Sequence, residues 1–298
     1  MLASVNLVPV REENPVRPPL DLPGAVPVAG APGGGWRPHV VAESPSTNAV
    51  VAARAREGAA EGLVVVAEHQ TAGRGRLGRT WETPARAALT FSLLVTPDEV
   101  PTQRWPWLPL LAGLAVVDGL HGVAGVRATL KWPNDVLVEE RGEPRKAAGI
   151  LVERLERRHG DGGPVAVAVV GVGINVSSTR EELPVPTATS LALAGAASLD
   201  RSALLLAVLV AFSARYDAWR AASGEGPRAS YLAACSTLGR RVRVELPGGG
   251  VLDGRAVDVD TQGRLVVDDG TGRRVLGAGD VVHVRPGGDA GPVDPGPG

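Results

Sequence analysis

With 298 residues, a formal net charge of −1, a single cysteine and no Lys/Arg run, the chain has no internal disulfide and no electrostatic footprint for a general polyanion binder, so no nucleic-acid partner is expected. Its length suits one large domain with a small one beside it, in a reducing, cytoplasmic setting. No run of about 18 apolar residues is found, and residues 1–11 have no cationic start ahead of an apolar core, so neither a membrane span nor a secretory leader is expected.

Residues 1–36 are rich in Pro and Gly without periodicity; a disordered leader that packs against little is expected. Residues 46–57 open on Ser/Thr and continue in helix formers, which predicts an N-capped helix. Residues 63–67 read as a short buried strand, 70–79 as a polar Gly-rich loop whose one apolar anchor is Leu77, and 87–95 as another strand. An apolar helix over 108–120 follows, then strands over 129–138, 148–155 and 165–176. Asp200 caps a helix with Leu204, Val208, Phe212, Tyr216 and Trp219 on one face, the spacing of a core-facing stripe. Strands mixed with helices predict an α+β domain over 37–235, a sheet with helices on it. From 236 to 286 apolar residues alternate with charged ones between turn signals such as Pro247-Gly248-Gly249, which predicts a small barrel-like β domain. A disordered Gly/Pro tail is expected at 287–298.

Residue usage gives a further hint. Only two lysines, Lys131 and Lys146, and two isoleucines, Ile150 and Ile174, occur in the chain, and after Asn14 only three asparagines, Asn48, Asn134 and Asn175. Where a chain that avoids these types retains them, chemistry is a candidate reason. Four segments stand out, and six of these seven residues fall in three of them. Gly73-Arg74-Gly75-Arg76-Leu77-Gly78-Arg79 lets backbone N–H groups approach a ligand and supplies forked donors for phosphate or carboxylate. It is not a P-loop, since no Gly-Lys-Ser/Thr follows; a solvated basic loop is the plain alternative. In Lys131-Trp132-Pro133-Asn134-Asp135, Asp135 could hold Mg²⁺, or the Asn-Asp pair could stabilise a turn. Lys146-Ala147-Ala148-Gly149-Ile150-Leu151-Val152-Glu153 opens an apolar strand with a lysine that is either a ligand cation or a surface residue. Gly171-Val172-Gly173-Ile174-Asn175-Val176 would let a flat ligand lie on the backbone, or form a bulge.

In this order, and with Ser46-Thr47-Asn48 and Gln70 upstream, the four segments resemble the biotin–protein ligase family over residues 38–286. The resemblance implies a catalytic domain with a mixed sheet flanked by helices, like that of class II aminoacyl-tRNA synthetases, followed by an SH3-like β-barrel. It implies an enzyme that makes biotinyl-5′-AMP from biotin and ATP with Mg²⁺, then forms an amide with a lysine on the biotin carboxyl carrier domain of an acyl-CoA or pyruvate carboxylase. Ser46, Thr47 and Gln70 look like contacts to the biotin ureido group, with Asn48 beside them. Gly73, Arg74, Gly75 and Arg76 look like the loop that closes over the adenylate. Lys146 looks like the cation at the reacting carboxyl and α-phosphate, aided by Arg74 and Arg76. Gly171 and Gly173 would flank the biotin rings. Trp81 looks like the aromatic that packs on adenine, with Arg79, Lys131, Asn134 and Asn175 toward ATP. Asp135 is the candidate for Mg²⁺ or for fixing Lys131. Some members carry an N-terminal winged helix that residues 1–36 are too short and Pro-broken to form, so a monofunctional ligase is expected. A lipoate or octanoyl ligase and a non-catalytic biotin-binding regulatory module are the rival readings.

Overall fold

The computed structural model describes residues 17–28, 35–158, 163–222, 226–277 and 279–283; the expected tail and the rest of the expected leader lie outside them. The elements run β1 (Arg37–Val41), α1 (Thr47–Arg56), β2 (Leu63–Ala67), β3 (Gly73–Arg74), β4 (Thr80–Trp81), β5 (Ala88–Val95), α2 (Trp107–Gly119), β6 (Ala128–Lys131), β7 (Asp135–Glu140), β8 (Glu143–Arg158), β9 (Pro164–Asn175), α3 (Arg201–Ala221), α4 (Arg228–Ala234), and then β10 (Arg241–Glu245), β11 (Val251–Val259), β12 (Leu265–Asp268), β13 (Arg273–Leu276) and β14 (Asp280–His283).

The large domain is a seven-stranded sheet in the order β1-β2-β5-β9-β8-β7-β6. Only β1–β2 is a parallel pair; the others are antiparallel. Helices cover both faces, so β2 and β5 are buried along their whole length and read as continuous apolar runs. Val64, Val66, Leu89, Phe91 and Leu93 pack toward α2 and α3. Val65, Leu94, Val167 and Val169 face the other way, onto Val51 and Ala55 of α1. Asp200 caps α3 by accepting from the backbone N–H of Ser202 and Ala203 at 2.9 and 3.0 Å. By length and hydropathy both α3 and the α2 segment Trp107–Ala124 could cross a membrane, but they pack on each other and on the sheet, and α2 also on α4.

The second sheet, in the order β13-β12-β11-β10-β14, is the small SH3-like domain. Its inner residues, Val242, Val244, Ala256 and Val267 among them, join the same apolar core as α2 and α3. Polar ties add to this: the indole N–H of Trp107 donates to the Thr261 carbonyl at 2.8 Å and that of Trp132 to the Gly263 carbonyl at 3.1 Å.

Two expectations are corrected. Residues 129–138 are not one strand but the hairpin β6–β7, reversed over Trp132-Pro133-Asn134. Proline has no N–H for the ladder, and Trp132 is buried toward the small domain. Residues 17–28 of the expected leader do pack. Arg17 bonds the hydroxyl and carbonyl of Ser177 and pairs with Glu182 at 2.5 Å. The Leu20 N–H donates to the Glu68 carboxylate at 2.6 Å, and Arg201, itself paired with Glu68 at 2.7 Å, donates to the Pro18 carbonyl. Val26 pairs with Trp36. An extended strap docks through isolated side chains and by satisfying buried charges, neither of which leaves a period in the sequence.

Candidate active site

The cleft arises on the α1 face of the sheet where the aliphatic side chains run out. In register across the strands stand Leu151, Gly171 and Ser92, then Gly149, Gly173 and Thr90. The glycines, with Ser92 and Thr90 beside them, leave an open cleft under the N-terminus of α1, about 800 Å³ counting the solvent at its mouth.

Its polar end is built from the start of α1. The Ser46 hydroxyl caps the helix. The backbone N–H and hydroxyl of Thr47 donate to the Gln70 Oε1 at 2.8 and 3.1 Å. The Ser92 hydroxyl lies 2.7 Å from Thr47 Oγ1 and 2.6 Å from Asn48 Oδ1, and Asn48 Nδ2 donates to Glu153 at 2.7 Å. A Cβ on Gly171 would stand 2.1 Å from Asn48 Oδ1. Gly171 is therefore a glycine that admits the Asn48 amide. Gly173 and Gly149 hold Trp81: a Cβ on them would lie 2.5 and 3.2 Å from the indole. Trp81, expected on an adenine, thus sits in the middle of the cleft, its buried Nε1 without a partner.

The other end is cationic. Lys146 Nζ lies 2.6 Å from Asp135 Oδ1 and 5.8 Å from the Trp81 ring centre; Lys131 is 3.9 Å from the same carboxylate. Lys146 and Gly149 are three apart and would face opposite sides of a regular strand. The register shifts between Val136 and Leu137, leaving Ala147 unpaired with β7, and this bulge turns both to the cleft. The three arginines of the loop are tied to three elements. Arg74, half-exposed, lies 3.9 Å from Glu153 on β8. Arg76 donates to Asn134 Oδ1 at 3.2 Å, and Asn134 in turn donates to the Ile150 carbonyl. Arg79 pairs with Asp280 on β14. Burial lowers the Arg76 guanidinium below its usual range, whereas the hydrogen bond to Asp280 raises that of Arg79. Leu77, expected as the loop's apolar anchor, is 61% exposed with φ 56°. Trp81 is the anchor, paired through the β3–β4 hairpin with Gly73, whose Cβ would collide with the Trp81 carbonyl at 2.3 Å.

Most of the expected site residues line this cleft: Gly75, Arg79, Asn134 and Asp135 join those above. Gly73, Lys131 and Asn175 do not. Lys131 borders a smaller neighbouring cleft, and the buried Asn175 amide is spent on the Thr189 carbonyl at 3.0 Å. Sequence reading missed Ser92 and Asp280, and named Glu153 only as the end of the third segment, without a role. A serine inside the apolar run of β5 was a usable signal for the first; Asp280 carries none, since only the fold brings it near.

The donors do not fit a resident metal ion. Among the described residues no three His, Cys, Asp or Glu side chains cluster. Asp135 is already paired with two ammonium groups and Asp280 with a guanidinium. With its carboxylate engaged by the lysines, Asp135 offers no ready-made metal site, and Mg²⁺ carried on nucleotide phosphates would belong to the substrate.

Residues 40–175 match the Biotin/lipoate A/B protein ligase family, and residues 237–284 match the Biotin protein ligase C terminal domain. The chain is 46% identical over 258 residues to the biotin–[acetyl-CoA-carboxylase] ligase of Mycobacterium tuberculosis, covering 85% of this chain and 91% of that one. It is 44% identical over 99 residues to the bifunctional ligase/repressor BirA of Bacillus subtilis, covering 33% of this chain and 29% of that one. A biotin protein ligase from Aquifex aeolicus in complex with biotin and ATP matches with a TM-score of 0.65 at 29% identity, over 84% of this chain and 99% of that one. The chain belongs to the biotin–protein ligase family.

Proposed function

We propose that this protein activates biotin with ATP and passes it to a lysine on the biotin carboxyl carrier domain of a carboxylase, acetyl-CoA carboxylase being the acceptor named for its Mycobacterium tuberculosis relative. The observation that carries this is the polarity of the cleft. A neutral donor–acceptor end (Thr47, Asn48, Gln70) and a slot lined by glycines and Trp81 lead to Lys146 and Arg76. Biotin has the same order: a ureido group, apolar rings and chain, and a carboxylate.

A carboxylate is a poor acyl donor, so its oxygen first attacks the α-phosphorus of ATP and pyrophosphate leaves. Two anions must converge, and cations fixed beforehand offset their repulsion. Lys146 stands where the carboxylate would end, held ready by Asp135. Arg76, part-buried, would hold the phosphate of the adenylate. The mixed anhydride is water-sensitive, and the loop carrying Arg74, Arg76 and Arg79 would cover it. In the second step the carrier's lysine amine attacks the acyl carbon and AMP leaves. Asn134 and Arg79 are proposed to face the nucleotide.

A lipoyl or octanoyl chain has no ureido group to use the Gln70–Thr47–Ser92–Asn48 network, which favours biotin. A cytoplasmic location fits the single cysteine, Cys235, which is buried and unpaired. The test is pyrophosphate–ATP exchange with biotin, with lipoate, and with neither. Exchange dependent on biotin alone is expected; none with biotin would reduce the protein to a binding module, and exchange with lipoate would move it to the other branch.

A further inference from the structure

Glu153 stands behind the cleft wall, touching two residues that face it. One carboxylate oxygen accepts from Asn48 Nδ2 at 2.7 Å, and the other lies 3.9 Å from Arg74. Asn48 is 5% exposed, so water does not decide which way its amide points. The two ends of an amide are alike in size, and their partners set the orientation. A carboxylate only accepts. So does the Leu151 carbonyl, 3.4 Å from the same Nδ2. The NH₂ must therefore face Glu153, which turns Oδ1 to the Ser92 hydroxyl at 2.6 Å and over Gly171, a residue of the cleft wall. Gly171 adds the steric half of the device, since any side chain there would displace the amide.

We propose that Glu153 is a positioning residue for ligand specificity: by accepting only, it fixes Asn48 as a hydrogen-bond acceptor for a ring N–H of the ligand. The inference rests on the biotin reading above. Biotin offers two such N–H groups in its ureido ring. With glutamine at 153 the partner could donate as well as accept, and the Asn48 amide could turn its NH₂ toward Ser92 and the cleft, opposing a ligand donor with a donor. One lost hydrogen bond of this kind lowers affinity roughly tenfold.

The experiment measures binding by calorimetry without ATP, for wild type, Glu153→Gln, Asn48→Asp and the double variant, with thermal unfolding to verify folding. The ligands are biotin and analogues in which one or the other ring N–H is replaced by oxygen. Glu153→Gln is expected to bind biotin about tenfold more weakly, with an unchanged KM for ATP in exchange assays. It should also lose most of the wild-type preference for biotin over one of the analogues. Combining Asn48→Asp with Glu153→Gln reverses donor and acceptor across the pair, restores an acceptor at position 48, and should recover most of the affinity. Wild-type biotin affinity in Glu153→Gln, an unaltered preference between biotin and both analogues, or a double variant weaker than either single one would overturn the inference. Failure of the wild type to bind biotin would instead overturn the parent reading, and this one with it.

Discussion

Replacing Lys146 by alanine should separate catalysis from folding. Its ammonium lies 2.6 Å from Asp135, with the two side chains 33% and 16% exposed, and a second cation, Lys131, remains 3.9 Å from that carboxylate. The variant therefore does not strand a buried charge, and a partly solvated pair contributes about 1 kcal/mol at most. At the reacting centre the loss is larger, because the arginines that share the cleft are tied to Glu153, Asn134 and Asp280 and do not occupy the Lys146 position. Removing one preorganised donor costs about 3–4 kcal/mol, or a 10²–10³-fold drop in the adenylation rate. Lys131→Ala is the control: it removes an equal charge near Asp135 but outside the cleft, and should slow exchange by less than about tenfold, the effect of a screened charge. Both variants are assayed by biotin-dependent pyrophosphate exchange and by thermal unfolding. Wild-type exchange in Lys146→Ala, or equal losses in the two variants, would refute the assignment of the central cation.

Other outcomes follow from the loop, the strap and the small domain. Arg76→Gly should loosen retention of the adenylate more than its formation: losing a charge-assisted contact costs about 1.5–3 kcal/mol, a tenfold to hundredfold faster escape. Released biotinyl-AMP would then label an unrelated protein on a streptavidin blot, and equal bystander labelling by wild type and variant would exclude Arg76 from the lid. Removing residues 1–28 takes the Leu20 N–H from Glu68 and the Pro18 carbonyl from Arg201, and should lower stability by about 2 kcal/mol in denaturant melts; an unchanged midpoint would mean that the strap only rests on the surface. His283 is held down to about 4 by burial, then by Lys131 and Arg240. Unfolded, the ring protonates near 6.5, so between these values the unfolded chain binds more protons and stability falls as pH drops from about 6.5 to about 4. His283→Gln should flatten this dependence by about 1–2 kcal/mol, after allowance for solvent screening of a partly exposed ring; parallel curves for the two proteins would exclude His283 as the source.

The elements most legible in the sequence were those whose physics is local. Ser46 and Asp200 cap helices because their side-chain oxygens reach N–H groups two or three residues on, and the stripe from Leu204 to Trp219 is buried at helical spacing. The errors came from long-range causes. Residues 129–138 read as one strand in spite of Pro133-Asn134-Asp135 at their middle, and the pairing of both halves with each other reveals the hairpin. The strap is invisible to periodicity because its contacts, Arg17 with Glu182 and Leu20 with Glu68, span more than a hundred or several tens of residues, at separations of 165 and 48.

The site divides along the same line. Lysine scarcity pointed to Lys146, and the two glycines of β9 pointed to a close approach, but the sequence could not say what approaches. The fold answers differently for each: Asn48 over Gly171 and Trp81 over Gly173. Even Lys146 depends on something no motif spells out. Without the bulge opposite Val136 and Leu137 its side chain and Gly149 would face opposite sides of β8, and the cation would leave the cleft. Lys131 carries the same charge beside the same Asp135 yet lies off the cleft wall. One extra residue in a strand therefore decides whether Lys146 and Gly149 share the cleft, so inserting or deleting a residue at Ala147 should abolish biotin-dependent pyrophosphate exchange with both lysines still in the sequence.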